Sequence, residues 1–161
     1  MLKEIILQYQ QFNNISELEL IEIQLLEEAE KAASKAYAPY SKFKVGCALL
    51  LENGLIVSGN NQENASYPLG LCAERVAFFN AGANYSGIKI KSAAIYAESE
   101  LFEVKDFVSP CGACRQAMSE YEFNQKTAIP LIMKGKSGPI IKTNSVSSLL
   151  PLQFNRSSLN Q

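Results

Sequence analysis

Three of the chain's 4 cysteines stand in two short segments, Leu71-Cys72-Ala73-Glu74-Arg75 and Ser109-Pro110-Cys111-Gly112-Ala113-Cys114-Arg115. Zinc takes thiolate, imidazole or carboxylate ligands, and a catalytic zinc keeps three protein ligands and one open position. The chain has 0 His, so a zinc here must rest mainly on sulfur. Cys111 and Cys114 present two thiols one helical turn apart, and Cys72 can supply a third. Glu74, two residues from Cys72, is then placed to act as general acid and base on a water that the metal activates.

Three thiolates around Zn²⁺ leave a net charge of −1, which works against acidifying water. Positive charge must offset it. Arg75 and Arg115 each follow a site residue directly. Both cysteine segments stand where a helix begins, at the positive end of a macrodipole equivalent to roughly half a charge. Arg75 donating to the sulfurs would tune the ligands from outside the coordination shell.

A lone Cys-x-x-Cys also fits a redox pair or half of a structural zinc knuckle. A structural zinc wants four ligands. The remaining cysteine, Cys47, lies in the apolar run Val45-Gly46-Cys47-Ala48-Leu49-Leu50, where a thiol packs as a small hydrophobe. The catalytic reading is therefore the stronger one.

The pairing of Cys72-Ala73-Glu74 with Pro110-Cys111-x-x-Cys114 resembles the cytidine deaminase family, in its small free-nucleoside branch with three cysteine ligands. The likeness extends from about Ala29 to Leu159. It implies hydrolytic deamination of cytidine and deoxycytidine in pyrimidine salvage, with one zinc per subunit and no organic cofactor. It also implies that Phe43 of Pro39-Tyr40-Ser41-x-Phe43 packs on the base, that Asn61 and Glu63 hold the ribose hydroxyls, and that the Ala73 N–H touches the base. Tyr67 and Phe154 resemble residues that reach into a neighbouring subunit's site, which implies a homotetramer. Read blindly, Phe43 is core and Asn61-Gln62-Glu63 is a turn. A related deaminase of the blasticidin S type shares the zinc motifs, and a non-enzymatic zinc-stabilised oligomer is the more distant alternative.

The 161 residues suit one domain, and 47% hydrophobic with 19% charged residues describes an ordinary globular protein. A net charge of −1 argues against a polynucleotide surface, which carries a basic patch. The first residues have neither the basic start nor the apolar centre of a signal peptide, and no run is long enough to span a bilayer. A cytoplasmic protein with reduced thiols is the expectation.

Residues 1–15 read as a loose N-terminal extension or a short helix, followed by a single catalytic domain over 16–161. Ser16 with Glu19 makes a capping box, and apolar residues at helical spacing predict a helix from about Glu17 to Tyr37. An apolar strand to Leu51, the turn Glu52-Asn53-Gly54 and a returning strand to Gly59 come next. A helix follows from Cys72, closed by Gly82, then a central strand over 88–97 and a helix over 111–123. Strands over 127–133 and 139–143 are joined too tightly for an intervening helix, so they pair antiparallel. Ser145 caps a last short helix. Strand, helix and strand in succession imply a parallel crossover. The expectation is a three-layer α/β/α sandwich around a five-stranded mixed sheet.

Overall fold

The computed structural model describes residues 1–159; the last two positions of the expected 16–161 domain lie outside them. Among the described residues, six strands and three α-helices follow in the order β1 Tyr9–Phe12, α1 Leu20–Ser34, β2 Phe43–Leu51, β3 Ile56–Asn60, α2 Ala73–Asn84, β4 Ile90–Ser99, α3 Gly112–Gln125, β5 Leu131–Lys134 and β6 Ile140–Thr143. One mixed sheet runs in the order β1-β6-β5-β4-β2-β3. β4 and β5 pair parallel through the α3 crossover, and β5 and β6 pair antiparallel, both as their spacing requires.

Strand side chains alternate between two faces. From β2, Ala48 and Leu50 join Leu25, Leu26, Ala29 and Ala33 of α1, while Cys47, Leu49 and Leu51 join Ala77 and Phe78 of α2 and Met118 of α3. Cys47 is buried as a small hydrophobe. Two glycines let the helices reach the sheet. A Cβ on Gly46 would stand 1.9 Å from the Ala29 carbonyl oxygen, and one on Gly59 would stand 2.5 Å from the Ala77 nitrogen. The layers that carry the site therefore meet backbone to backbone.

Some elements differ from expectation for identifiable reasons. The sheet has six strands because Tyr9–Phe12, within the expected extension, pairs antiparallel with β6 and satisfies its edge. Phe12 packs on the α1 side of the core. α1 begins at Leu20, not Glu17, and Ser16 does not cap it. The Glu19 N–H donates to Glu22 Oε2 at 3.1 Å, and the Asn14 N–H to Glu17 Oε1 at 2.7 Å, each closing its own short start. Gly82 lies inside α2, and its missing side chain makes room for the Tyr121 hydroxyl. Pro130 stays outside β5, and the helix expected after Ser145 is a single 3₁₀ turn, Ser147–Leu149.

Candidate metal and nucleoside site

Cys72 is the N-cap of α2 and Cys111 the N-cap of α3. Their carbonyls accept the first helical bonds, from the Val76 and Arg115 N–H at 3.2 and 2.9 Å. Each sulfur thus stands at the positive end of a helix. Cys114, one turn into α3, is buried beneath them. The Cys111 and Cys114 sulfurs are 3.4 Å apart and those of Cys72 and Cys111 4.0 Å apart, all three lying within 4.8 Å of one another. Tetrahedral zinc with sulfur at about 2.3 Å needs sulfurs ~3.8 Å apart. The three thiols fit that ion.

Arg75 Nη2 donates to Cys72 Sγ at 3.9 Å. A hydrogen bond from the Cys114 thiol, with Arg75 beside it, brings the Cys72 thiol down to about 5 against the opposition of partial burial. Cys114 is pushed up by the bond it gives Cys72 and by burial. Glu74, in the first turn of α2, is only 5% exposed. That burial raises its carboxyl to about 7, the range in which a group can both take and return a proton near neutrality.

The segment 61–63 is locked beside these thiols. Gln62 exchanges two backbone bonds of 2.9 Å with Leu71, the residue before Cys72, and the Glu63 N–H donates to the Tyr37 carbonyl at 2.8 Å. Asn61 Oδ1 accepts from the Val45 N–H at 2.7 Å, and its Nδ2 donates to the Phe43 carbonyl at 2.9 Å. The side chain thus acts as a strand neighbour for the start of β2. Glu63 Oε2 accepts from the Tyr40 N–H at 2.9 Å, and Oε1 accepts from the Ser41 hydroxyl. Partial desolvation pushes its carboxyl up, and the bonds from Ser41 and Tyr40 outweigh it, leaving it below the usual carboxylate range. Phe43 and Phe102 stand 6.3 Å apart, and Tyr67 stands 5.7 Å from Tyr40.

One group of expected residues, Cys72, Ala73, Glu74, Arg75, Cys111 and Cys114, therefore converges at two helix starts. Phe43, Asn61 and Glu63 form a second group joined to it through Leu71. Tyr67 lines the cleft at Glu63 but is 74% exposed. Phe154 lies on the C-terminal segment, its carbonyl accepting from Gln116 Nε2 at 2.8 Å while its ring is exposed.

Three further residues hold the site in roles the sequence does not signal. Arg115, expected to offset the charge of the sulfurs, instead donates to the Pro110 carbonyl at 2.8 Å, the Leu149 carbonyl at 3.0 Å and Ser109 Oγ at 3.1 Å, clamping the chain before Cys111 to the Ser147–Leu149 turn. Glu122, buried at 8% exposure, accepts from the N–H groups of Ile129, Val146 and Ser147 and from the Ser145 hydroxyl. Ser41 is the third. Only the turn chemistry of Pro39-Tyr40-Ser41 could have pointed to it.

The family profile of the cytidine and deoxycytidylate deaminase zinc-binding region matches residues 21–129. A cytidine deaminase of Sporosarcina psychrophila is 42% identical over 137 residues, covering 84% of this chain and 93% of that protein. One of Halalkalibacterium halodurans is 41% identical, covering 84% and 96%. The crystal structure of cytidine deaminase from Burkholderia pseudomallei superposes with a TM-score of 0.69 at 40% identity, covering 81% of this chain and 97% of that one.

Proposed function

Since the chain belongs to the cytidine and deoxycytidylate deaminase family, we infer that it is a zinc-dependent hydrolase converting cytidine and deoxycytidine, with water, to the uracil nucleoside and ammonia. The observation that carries this is the convergence of three thiols and one buried carboxylate at the starts of α2 and α3. Zinc bound by Cys72, Cys111 and Cys114 supplies a Lewis acid that makes water nucleophilic near neutral pH.

The chain's own residues do the rest. Glu74 takes the proton of the water that attacks C4 and passes it to N3 of the ring. It then takes the proton of the hydroxyl now on C4 and delivers it to the amino nitrogen, the C4–N bond breaks as the C4 carbonyl forms, and ammonia departs. The Ala73 N–H, first in α2 and without a helical acceptor, is free to hold the base edge. Phe43 faces the ring, and Glu63 with Asn61 takes the sugar hydroxyls. Arg75 and the two helix starts offset the excess negative charge of the sulfurs.

The catalytic unit is residues 16–161, to which 1–15 add the edge strand β1. Exposed Tyr67, Leu69, Phe79, Leu152 and Phe154 support assembly as a homotetramer in which Tyr67 and Phe154 complete a neighbour's site. No described helix is long and apolar enough to cross a membrane. The cytoplasm, which keeps thiols reduced, and a role in pyrimidine salvage complete the proposal. The direct test is the ultraviolet change on cytidine, with zinc quantified and mass measured by light scattering. Turnover at about one zinc per chain supports the reading; zinc-loaded protein inert on cytidine and deoxycytidine overturns it.

A further inference from the structure

At the sugar end lies a cleft of about 360 Å³ lined by Tyr40, Ser41, Glu63, Asn64, Tyr67 and Gly70. Glu63, the group proposed to take sugar hydroxyls, is not waiting with free oxygens. One oxygen accepts two backbone N–H groups, from Tyr40 at 2.9 Å and Ser41 at 3.3 Å. The other accepts the Ser41 hydroxyl. A carboxylate has about four lone-pair positions, so three are already used.

Ser41 has a second bond. Its Oγ accepts from the Phe43 N–H at 3.0 Å, so one hydroxyl joins the sugar-end carboxylate to the residue that faces the base. The backbone between them is held in an uncommon conformation. Lys42 has φ +56°, in the left-handed region that non-glycine residues rarely adopt. Its N–H donates to the Ala38 carbonyl at 3.1 Å and its carbonyl accepts from the Glu100 N–H at 3.0 Å. Asn61 fixes the far side of Phe43 through the Phe43 carbonyl and the Val45 N–H. Tyr40 to Val45 is therefore one hydrogen-bonded unit with Asn61 and Glu63.

We propose that Ser41 is a specificity-determining and positioning residue: its hydroxyl stands in for a sugar hydroxyl on Glu63 and anchors Phe43 from the same oxygen. A nucleoside bearing a 2′- or 3′-hydroxyl must share Glu63 Oε1 with Ser41, whose bond weakens that oxygen as an acceptor. A nucleoside lacking both leaves the internal bond as it is. The hydroxyl thus keeps the carboxylate satisfied before substrate arrives and sets how strongly Glu63 discriminates among sugars. This rests on the deaminase reading given above.

The test compares cytidine with 2′,3′-dideoxycytidine, using zinc-loaded wild type, Ser41→Ala, Ser41→Thr and Glu63→Gln. In Ser41→Ala the competitor is gone, so the ratio of kcat/KM for cytidine over dideoxycytidine rises about fivefold, the worth of one net hydrogen bond. The Phe43 N–H loses its acceptor at the same time, so kcat falls for both substrates alike. Ser41→Thr, which keeps a hydroxyl, restores both quantities. On the Glu63→Gln background, Ser41→Ala no longer moves the ratio. A merely structural Ser41 lowers both substrates in proportion with the ratio constant, and that result overturns the proposal. A wild type inert on cytidine instead refutes the activity itself.

Discussion

Replacing Glu74 by Gln separates what the site does from what it costs the fold. Glu74 is 5% exposed, and burial holds its carboxyl at about 7 against an ordinary 4.5. The folded-state value is raised, so the metal-free folded chain binds a proton more tightly than the unfolded chain. Stability from this group is fully present below pH 4.5 and is lost as pH rises through 7. The difference between about 7 and 4.5 corresponds to roughly 3 kcal/mol at pH 8. Glutamine cannot ionise, so chelated Glu74→Gln is more stable than chelated wild type by up to that amount at pH 8 and equal to it near pH 4. Cys72 shifts in the opposite direction, lowered from 9 to about 5, and contributes stability that is lost as pH falls through 5. It is common to both proteins, but its thiolate is one of the causes that raise Glu74, so the difference at pH 8 includes the relief of that repulsion.

The assay is urea unfolding of chelated wild type and variant at pH 4, 6 and 8, with zinc content and cytidine turnover measured on the loaded proteins. Glu74→Gln retains about one zinc, since it supplies no ligand, while turnover falls by 10⁴ or thereabouts, at the upper end for loss of a general acid and base. A variant less stable than wild type at pH 8 would refute the claim that the carboxylate is held at a desolvation cost. Substantial turnover would refute its role in proton transfer.

Three other outcomes follow from the geometry. Phe43→Ala raises KM for cytidine about tenfold with a smaller change in kcat, the loss of one aromatic contact on the base, read by steady-state kinetics. Arg75→Gln removes the guanidinium donating to Cys72 and weakens zinc binding 10- to 100-fold, roughly the effect of losing a ligand's outer partner, measured by competition with a chromogenic chelator. Glu122→Gln leaves buried N–H groups of Ile129 and Val146 facing an amide and costs about 3 kcal/mol, or some 6–12 °C in melting temperature for a chain of this size; a shift under about 2 °C would show the staple to be dispensable.

The cluster of three thiols was legible because each half of it is local. Cys72 and Glu74 open α2, Cys111 and Cys114 open α3, and a chain with 0 His leaves a zinc few choices. The β5–β6 hairpin was legible for a similar reason: the gap between the strands admits nothing else. β1 was not. Tyr9-Gln10-Gln11-Phe12 has a strand's alternation but an exposed, glutamine-rich surface, and only the free edge of β6, 128 residues downstream at Phe12↔Ile140, gives it a partner.

The same distance in sequence hid the roles of Glu122 and Ser41. Glu122 looks like one more charge on α3, yet its carboxylate closes N–H groups 7, 24 and 25 residues away. Ser41 reads as a turn residue until Glu63, 22 residues on, is folded against it. A cysteine ligand announces itself by type because few side chains can hold a metal. A hydroxyl or carboxylate that positions backbone can be supplied by many residues at many places, so its identity carries meaning only once the chain has brought the partner to it. Asn61 shows both sides. The resemblance marked it for the sugar, while the structure uses both its polar atoms on Phe43 and Val45, leaving one proton and one lone pair for a ligand. Its effect on substrate is therefore expected as much through the placement of Phe43 as by direct contact, and Asn61→Ala should impair 2′,3′-dideoxycytidine, which lacks the 2′- and 3′-hydroxyls, nearly as much as cytidine.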